Sequence, residues 1–288
     1  MKPTHPTTRF LLIATIALVL SGAGGCGNDS GPSATTGETD TGVATYRLYL
    51  LVNAEKLTTW ATQLRNKFKQ DLLGGAQSRF ASSQVPLGHL RPALALFPQR
   101  NRQLIDPTTG AFPRIERLLW KQASTSRAGM TETSEALDAI LLLHEQLKTV
   151  PLPPVRILGL SEGALEEIAT VDLRLQATPY AHIDLIQASA DLEGVEAAYA
   201  ALRPVAKAED PDLAHEINTE FKASFAGLEE FGPPAHNLAQ PRPSSPGTAF
   251  LSTENGQVKR QDLQSIAAPV AELEALFGRL RLAVEDSG

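Results

Sequence analysis

The chain has 288 residues, a formal net charge of −6 and a single cysteine. Its 26 basic residues form no Lys/Arg run and are outnumbered by 32 acidic ones, which argues against a nucleic-acid partner. One cysteine excludes an internal disulfide, so the fold must depend on its core. No HExxH, CxxC or glycine-rich phosphate loop occurs in the sequence, so it offers no sign of a hydrolytic zinc centre or a nucleotide site.

Residues 1–25 predict an export signal. Lys2 and Arg9 precede the apolar run LLIATIALVL, which is too short to span a bilayer, and small residues then lead to Cys26. This arrangement resembles a bacterial lipoprotein signal, which implies that Cys26 carries the lipid and anchors the chain on the extracytoplasmic face of the cell envelope. The alternative is an ordinary signal peptide with an incidental cysteine.

Residues 26–44 predict a flexible tether between the membrane and the folded domain, because they are polar and rich in Gly, Ser and Thr. The folded domain is predicted over residues 45–288. Its first segment, YRLYLLV from Tyr46 to Val52, fits either a strand or the start of a helix.

Most of the domain has apolar residues three or four positions apart, which predicts α-helices. The segments are Leu57–Leu72, Leu137–Leu147, the stretch after Ser161, the stretch after Asp210 and a C-terminal helix over residues 259–285. Ser161 and Asp210 are expected to be helix N-caps, the latter followed by Pro211. A proline-rich loop is predicted over residues 231–258, and Pro269 is expected to kink or start the last helix. The fold class is therefore predicted to be all-α, a helical bundle.

The segment GAFPRIERLLW, Gly110–Trp120, places an acid among core positions. At helical period Phe112, Ile115 and Leu119 share one face, and Glu116 falls on it as well. A buried carboxylate needs a basic partner or a metal ion. Pro113 is compatible with this helix if it lies in the first turn, where no backbone donor is lost.

The segment YAHIDL, Tyr180–Leu185, begins a second stripe of this kind. Tyr180, Asp184 and Asp191 share a helical face, so the two acids again need a partner. That partner is either a basic residue, such as Arg114 or Arg203, or a metal. His144 lies on the apolar face of its own segment, which favours a hydrogen-bonded core histidine.

GLSEG, around Ser161, matches the nucleophile elbow of serine hydrolases, with Asp184 and His215 downstream in the order of a triad. A hydrolase sheet requires repeated strand–helix units, which the sequence lacks. A serine hydrolase at Ser161 is therefore kept as a less favoured alternative to a helix cap.

The segments FPRIERLLW, YAHIDLIQASADLEG, LRP and the Asp-Pro-capped helix, in this order, resemble the imelysin-like (M75) family, and within it the iron-uptake lipoproteins of the EfeO type. The resemblance implies an exported all-α protein built of two bundle-like halves and associated with iron acquisition. The peptidase activity attached to the family name is not carried over, because nothing in the sequence resembles a hydrolytic metal centre.

The resemblance also implies a metal site, with iron as the expected ion. Glu116, Tyr180, His182 and Asp184 match its ligand positions. The family's residues are replaced at Gln84, Gly88, Arg91, Pro113 and Gln187. Iron prefers carboxylate, imidazole and phenolate ligands, so these replacements predict a degraded site in which Arg91 pairs with Glu116 instead.

The predicted function is that of a non-catalytic, envelope-anchored binding component related to the acquisition of iron or another divalent or trivalent metal. An envelope permease or a haem peroxidase is the partner that this role implies. The alternative is a scaffold or protein-interaction module that keeps the bundle and binds another envelope protein.

Overall fold

The helical periods of the sequence correspond to nine α-helices in the part of the chain that the computed structural model describes, residues 36–231 and 260–287. They are α1 (Thr36–Lys69), α2 (Leu73–Leu94), α3 (Pro98–Ile105), α4 (Ala111–Glu116), α5 (Arg127–Leu147), α6 (Pro154–Thr170), α7 (Asp184–Glu209), α8 (Pro211–Glu229) and α9 (Arg260–Ser287). A π-helical turn, Arg117–Lys121, follows α4, and a 3-10 turn, Asp172–Arg174, follows α6. No strand occurs within these two ranges, and the all-α prediction is confirmed.

The segment YRLYLLV belongs to α1, which resolves the choice between strand and helix. This helix begins at Thr36, inside the segment for which the sequence predicts a tether. The predicted export signal, Cys26 and residues 232–259 of the proline-rich region lie outside the described residues.

Two four-helix groups share α7. In one group α1 packs against α2, α5 and α7, and α2 also packs against α7. In the other, α9 packs against α6 and α8, and α7 contacts all three of these helices. One continuous apolar core runs through both groups. This arrangement agrees with the two bundle-like halves that the resemblance implies.

The last helix follows its predicted pattern closely. It runs from Arg260 to Ser287, against a prediction of 259–285, and continues through Pro269. Its buried apolar residues are Leu263, Ile266, Val270, Leu273, Leu276, Phe277 and Leu280. Their burial against α6 and α8 closes the second group of helices.

The two predicted N-caps have different outcomes. Asp210 caps α8, because its carboxylate accepts hydrogen bonds from the backbone amides of Asp212 and Leu213 at 3.0 and 2.9 Å. The prediction for Ser161 is wrong, since α6 already begins at Pro154. The prolines of PLPPV set that start, so Ser161 lies in the helix interior.

The prediction that His144 is a hydrogen-bonded core histidine is also wrong. On α5 the buried stripe includes Leu137, Ile140 and Leu143, whereas His144 stays partly exposed. Its ring lies 3.9 Å from Glu55 Oε1 and 3.6 Å from Glu145 Oε1. His144 therefore belongs to the polar border of the helix rather than to the core.

Candidate functional site: the cleft beside Glu116

The predicted acid-bearing helix is present as α4 and the π-helical turn after it. Phe112, Ile115 and Leu119 are buried as predicted, and Glu116, the last residue of α4, is only 2% exposed. Pro113 is the third residue of α4 and so lies in the first turn, where it costs no hydrogen bond. The segment therefore folds as the sequence predicts up to Glu116.

After Glu116 the helix widens. The backbone amide of Gln122 donates to Arg117 O at 3.0 Å, a bond that spans five residues instead of four. The Gln77 side chain of α2 donates to Leu119 O at 3.0 Å within this π-helical turn. Such turns occur frequently at functional sites. This one lies beside the two predicted acid-bearing segments.

Glu116 is bound by backbone amides, not by an arginine. Its Oε1 accepts hydrogen bonds from the amides of Tyr180 and Ala181 at 2.9 and 2.8 Å. Burial raises the pKa of Glu116, and these two amides partly offset that rise. The prediction that Arg91 pairs with Glu116 is therefore wrong. The carboxylate instead fixes the loop before α7 against α4.

That loop, Thr178–Asp184, is a compact turn held by its own polar groups. Asp184, fully buried at the start of α7, accepts from the amide of Thr178 at 2.8 Å. The Thr178 hydroxyl accepts from the amide of Ile183 at 2.9 Å, and His182 has a φ of 53°. Because α7 begins only at Asp184, Tyr180 lies before the helix. The prediction that Tyr180 shares a helical face with Asp184 and Asp191 is therefore wrong.

Tyr180 and His182 are partly exposed at the surface of this loop. The ammonium of Lys121, from the π-helical turn, lies 5.4 Å from the centre of the Tyr180 ring, in cation–π geometry. His182 and Asp184 are both close enough to Glu116 to influence its pKa. Thus the structure brings all four predicted ligand residues into one region.

Arg91 has the role of an internal counter-ion beside this region. Its side chain is 9% exposed and donates from Nη1 to Glu167 Oε1 at 2.5 Å. Its Nε lies 3.4 Å from Asp191 Oδ2. With its amide oxygen facing the guanidinium, Gln187 accepts from Nη1 at 3.2 Å and also from Nη2. The arginine therefore joins α2, α6 and α7.

The predicted pairing of Asp184 and Asp191 with Arg114 or Arg203 is wrong. Arg114 pairs with Glu132 and Glu135 on α5, and Arg203 lies over the ring of Tyr199. The expectation that a buried acid finds a basic residue nevertheless holds for Asp191, through Arg91. Periodicity could not identify that partner, because Arg91 and Asp191 meet only when α2 packs against α7.

A second buried carboxyl group, that of Asp172, lies close to Asp191 and Arg91. Asp172 is fully buried, and burial together with the nearby Asp191 raises its pKa well above the usual range. Burial also raises the pKa of Asp191, but Arg91 opposes that rise. Burial therefore favours the protonated form of Asp172, whereas Arg91 favours the charged form of Asp191.

Gly88 lies at a close contact between α2 and α7. A Cβ atom at this position would lie 2.5 Å from Asp191 Oδ1 and 2.6 Å from the Cβ of Ala190. The altered position 88 thus has no room for a side chain in this fold. Gln84, one turn earlier, is 3% exposed, and its Nε2 finds no hydrogen-bond partner among the described residues.

Two of the predicted metal ligands, Glu116 and Asp184, already bind backbone groups of the protein. In residues 36–231 and 260–287, no three His, Cys, Asp or Glu side chains are grouped so that they could hold one. Glu116 and Asp184 each use a carboxylate oxygen to bind backbone amides, and Asp184 is fully buried. A metal bound by Glu116, Tyr180, His182 and Asp184 remains a prediction.

An open cleft of about 390 Å3 lies beside Glu116 and Tyr180. It is lined by Arg91, Asn101, Arg102, Ile105, Asp106, Pro107, Pro113, Glu116, Arg117, Glu167, Val171, Gln176, Ala177, Pro179 and Tyr180. Its volume lies in the usual range for a small-molecule site. Asn101, Arg102 and Arg117 belong to this site, although the sequence analysis did not single them out.

The hydrolase alternative has no support in the structure. Ser161 is fully buried in the middle of α6, and its hydroxyl donates to Ile157 O at 2.9 Å. A nucleophile must instead be accessible and hydrogen-bonded to a base.

As for membrane insertion, none of the described helices combines the length and the apolar character that a membrane span requires.

The chain belongs to the imelysin family: the family model described as Peptidase_M75, imelysin, matches residues 97–273. Similar curated proteins are the iron uptake system components EfeO of Escherichia coli K12, Shigella flexneri and Escherichia coli O157:H7. Each is 22% identical over 192 residues, which is 62% of this chain and 51% of the relative. The chain therefore spans about half the length of these relatives.

Proposed function

We propose that the chain is a non-catalytic, extracytoplasmic binding component of an iron-acquisition system, attached to the membrane through Cys26. The relatives named iron uptake system components support the iron role, and the apolar run before Cys26 supports export and lipid attachment. The observation that carries the proposal is the cleft beside Glu116, because all of its lining residues except Arg91 lie within the segment that matches the imelysin family.

In this proposal the residues of the family's metal site have become structural. Glu116 holds the Tyr180 loop through backbone amides, and Arg91 supplies the positive charge beside Asp191. These contacts stabilise Glu116 and Asp191 without a metal ion. The cleft, rather than a set of protein ligands, is then the part that binds the cargo.

The iron role is tested in the native bacterium by removing the chain and measuring the accumulation of radioactive iron under iron limitation. We expect reduced accumulation, restored by the wild-type chain and by Ser161→Ala. Ser161→Ala is the matched control because it changes a buried residue outside the cleft. Unchanged accumulation after removal of the chain would overturn the iron role.

Membrane attachment is tested separately by fractionation. The wild-type chain is expected in the membrane fraction, and Cys26→Ala in the soluble extracytoplasmic fraction, since removal of the acylated residue removes the lipid. Equal distribution of the two chains between the fractions would contradict attachment through Cys26.

A further inference from the structure

The acidic groups that line the cleft are already bound to other parts of the protein. Glu167 pairs with Arg91, and Glu116 accepts two backbone amides. Asp106 accepts from the amides of Thr108 and Thr109 at 3.0 and 2.8 Å. Each of these three carboxylates thus has hydrogen-bond donors from the protein itself.

Two of the three arginines that line the cleft are not compensated in this way. Within residues 36–231 and 260–287, neither Arg102 nor Arg117 forms an ion pair or a side-chain hydrogen bond, although Arg102 is close enough to lower the pKa of Asp106 slightly. Arg102 is exposed and Arg117 partly exposed, so both guanidinium groups are accessible. The three arginines that line the cleft are matched by three carboxylates, but the guanidinium groups of Arg102 and Arg117 keep their hydrogen-bond donors available to a ligand.

The cleft also contains an unused hydrogen-bond acceptor. Asn101 lines it, and its Oδ1 atom is buried without a hydrogen-bond partner among the described residues. A buried acceptor left in this state costs free energy, which a ligand hydroxyl could recover. The cleft thus combines two donors of the guanidinium type with one acceptor.

We propose that this cleft binds a small hydroxypolycarboxylate, either free or as its ferric chelate. Guanidinium groups bind carboxylates through paired, charge-assisted hydrogen bonds, which assigns the ligand's carboxylates to Arg102 and Arg117. Asn101 accepts from the hydroxyl group. Only binding of the ferric chelate rests on the proposed iron-acquisition role. In that chelate the carboxylate oxygens of the ligand, rather than side chains of the protein, hold the iron.

The test is calorimetric titration of the full chain with citrate, ferric citrate, tricarballylate and inorganic phosphate. We expect citrate or its ferric chelate to bind with a Kd below about 1 mM. Arg102→Gln/Arg117→Gln should weaken that binding about tenfold or more. Tricarballylate has the three carboxylates but lacks the hydroxyl, so it should bind more weakly than citrate and be insensitive to Asn101→Ala.

The matched control is Arg65→Gln/Arg127→Gln. It removes the same charge from two exposed arginines outside the cleft, on α1 and α5, and should leave the Kd unchanged. Equal melting temperatures of the two double variants would show that the loss of binding is not a loss of folding. Equal weakening by both double variants would reduce the effect to net charge and overturn the proposal.

Three other results would also overturn it: no binding of citrate or ferric citrate, unchanged affinity in Arg102→Gln/Arg117→Gln, or equally tight binding of inorganic phosphate. Binding of citrate alone assigns the free acid as the ligand, and preference for ferric citrate assigns the chelate. Failure of the iron-accumulation test with intact citrate binding would reject only the proposed function. Reduced iron accumulation on removal of the chain, together with no binding of citrate or ferric citrate, would reject only the polycarboxylate site.

Discussion

At position 91 a nearly buried guanidinium faces the carboxylates of Glu167 and Asp191, with Asp172 close by. Burial alone would lower the pKa of Arg91, but these acids raise it instead, so the side chain stays charged. Removing one member of a buried ion pair is costly, because the charge that remains has no partner. The cluster is therefore a fixed element of the fold, with the cation supplied by the chain itself.

Arg91→Met is expected to lower the free energy of unfolding by about 3–5 kcal/mol, since it leaves Asp191 buried without its cation. Urea unfolding followed by circular dichroism measures this change. Arg65→Met, on the exposed face of α1, is the control and should change stability by less than about 0.5 kcal/mol. If Arg91→Met were as mild as the control, Arg91 could not be the counter-ion of this cluster.

At the scale of the elements, the close contact between α2 and α7 positions both the acid cluster and one wall of the cleft. It depends on Gly88, whose missing side chain leaves room for Asp191 and Ala190. A similar contact occurs at Gly194, where a Cβ would lie 3.0 Å from His89 O. Small residues on both helices thus set the distance at which Arg91 meets Asp191.

Gly88→Ala is expected to destabilise the protein by about 1–3 kcal/mol, because the added methyl group overlaps Asp191 and Ala190. Gly163→Ala on α6 is the matched control, since a Cβ there meets no atom within 4 Å. The control should stabilise the helix by about 0.5–1 kcal/mol. Thermal unfolding of the two variants should therefore shift in opposite directions, and a shift in the same direction would contradict the close contact.

Helical periodicity predicted most elements because apolar spacing survives packing, as in the last helix around Phe277. The cap at Asp210 was predicted instead from the Asp-Pro pair at the helix start. It also identified Glu116 as a buried acid. It failed where the outcome depends on contacts between distant segments, as for the partners of Glu116 and Asp191. It failed as well at Ser161, because a serine before an apolar run fits a helix interior as well as a cap.

For the whole molecule, the buried acids make stability depend on pH. The pKa values of Asp172, Asp191 and Glu116 are raised in the folded state, that of Asp191 to about 6. The folded chain therefore holds these protons more tightly than the unfolded chain. The free energy of unfolding must fall as the pH rises from the ordinary carboxyl pKa through these raised values.

We expect urea unfolding to give a lower stability at about pH 8 than at about pH 5, by about 1.4 kcal/mol for each unit of pKa shift crossed. Asp172→Asn removes one of these groups and should make the decrease smaller. Asp138→Asn, on the exposed face of α5, is the control and should keep the wild-type decrease. An equal decrease in wild type and Asp172→Asn would exclude Asp172 as its source.

The π-helical turn Arg117–Lys121 affects how this chain can be compared with other chains. A turn that closes over five residues contains one residue more than an α-helical turn, so side chains after it are rotated relative to those before it. Lys121, at the end of this turn, lies over the ring of Tyr180 because of this rotation. In a relative whose helix is regular here, one residue would be missing between Glu116 and Gln122, and a correct alignment must place a gap inside this turn.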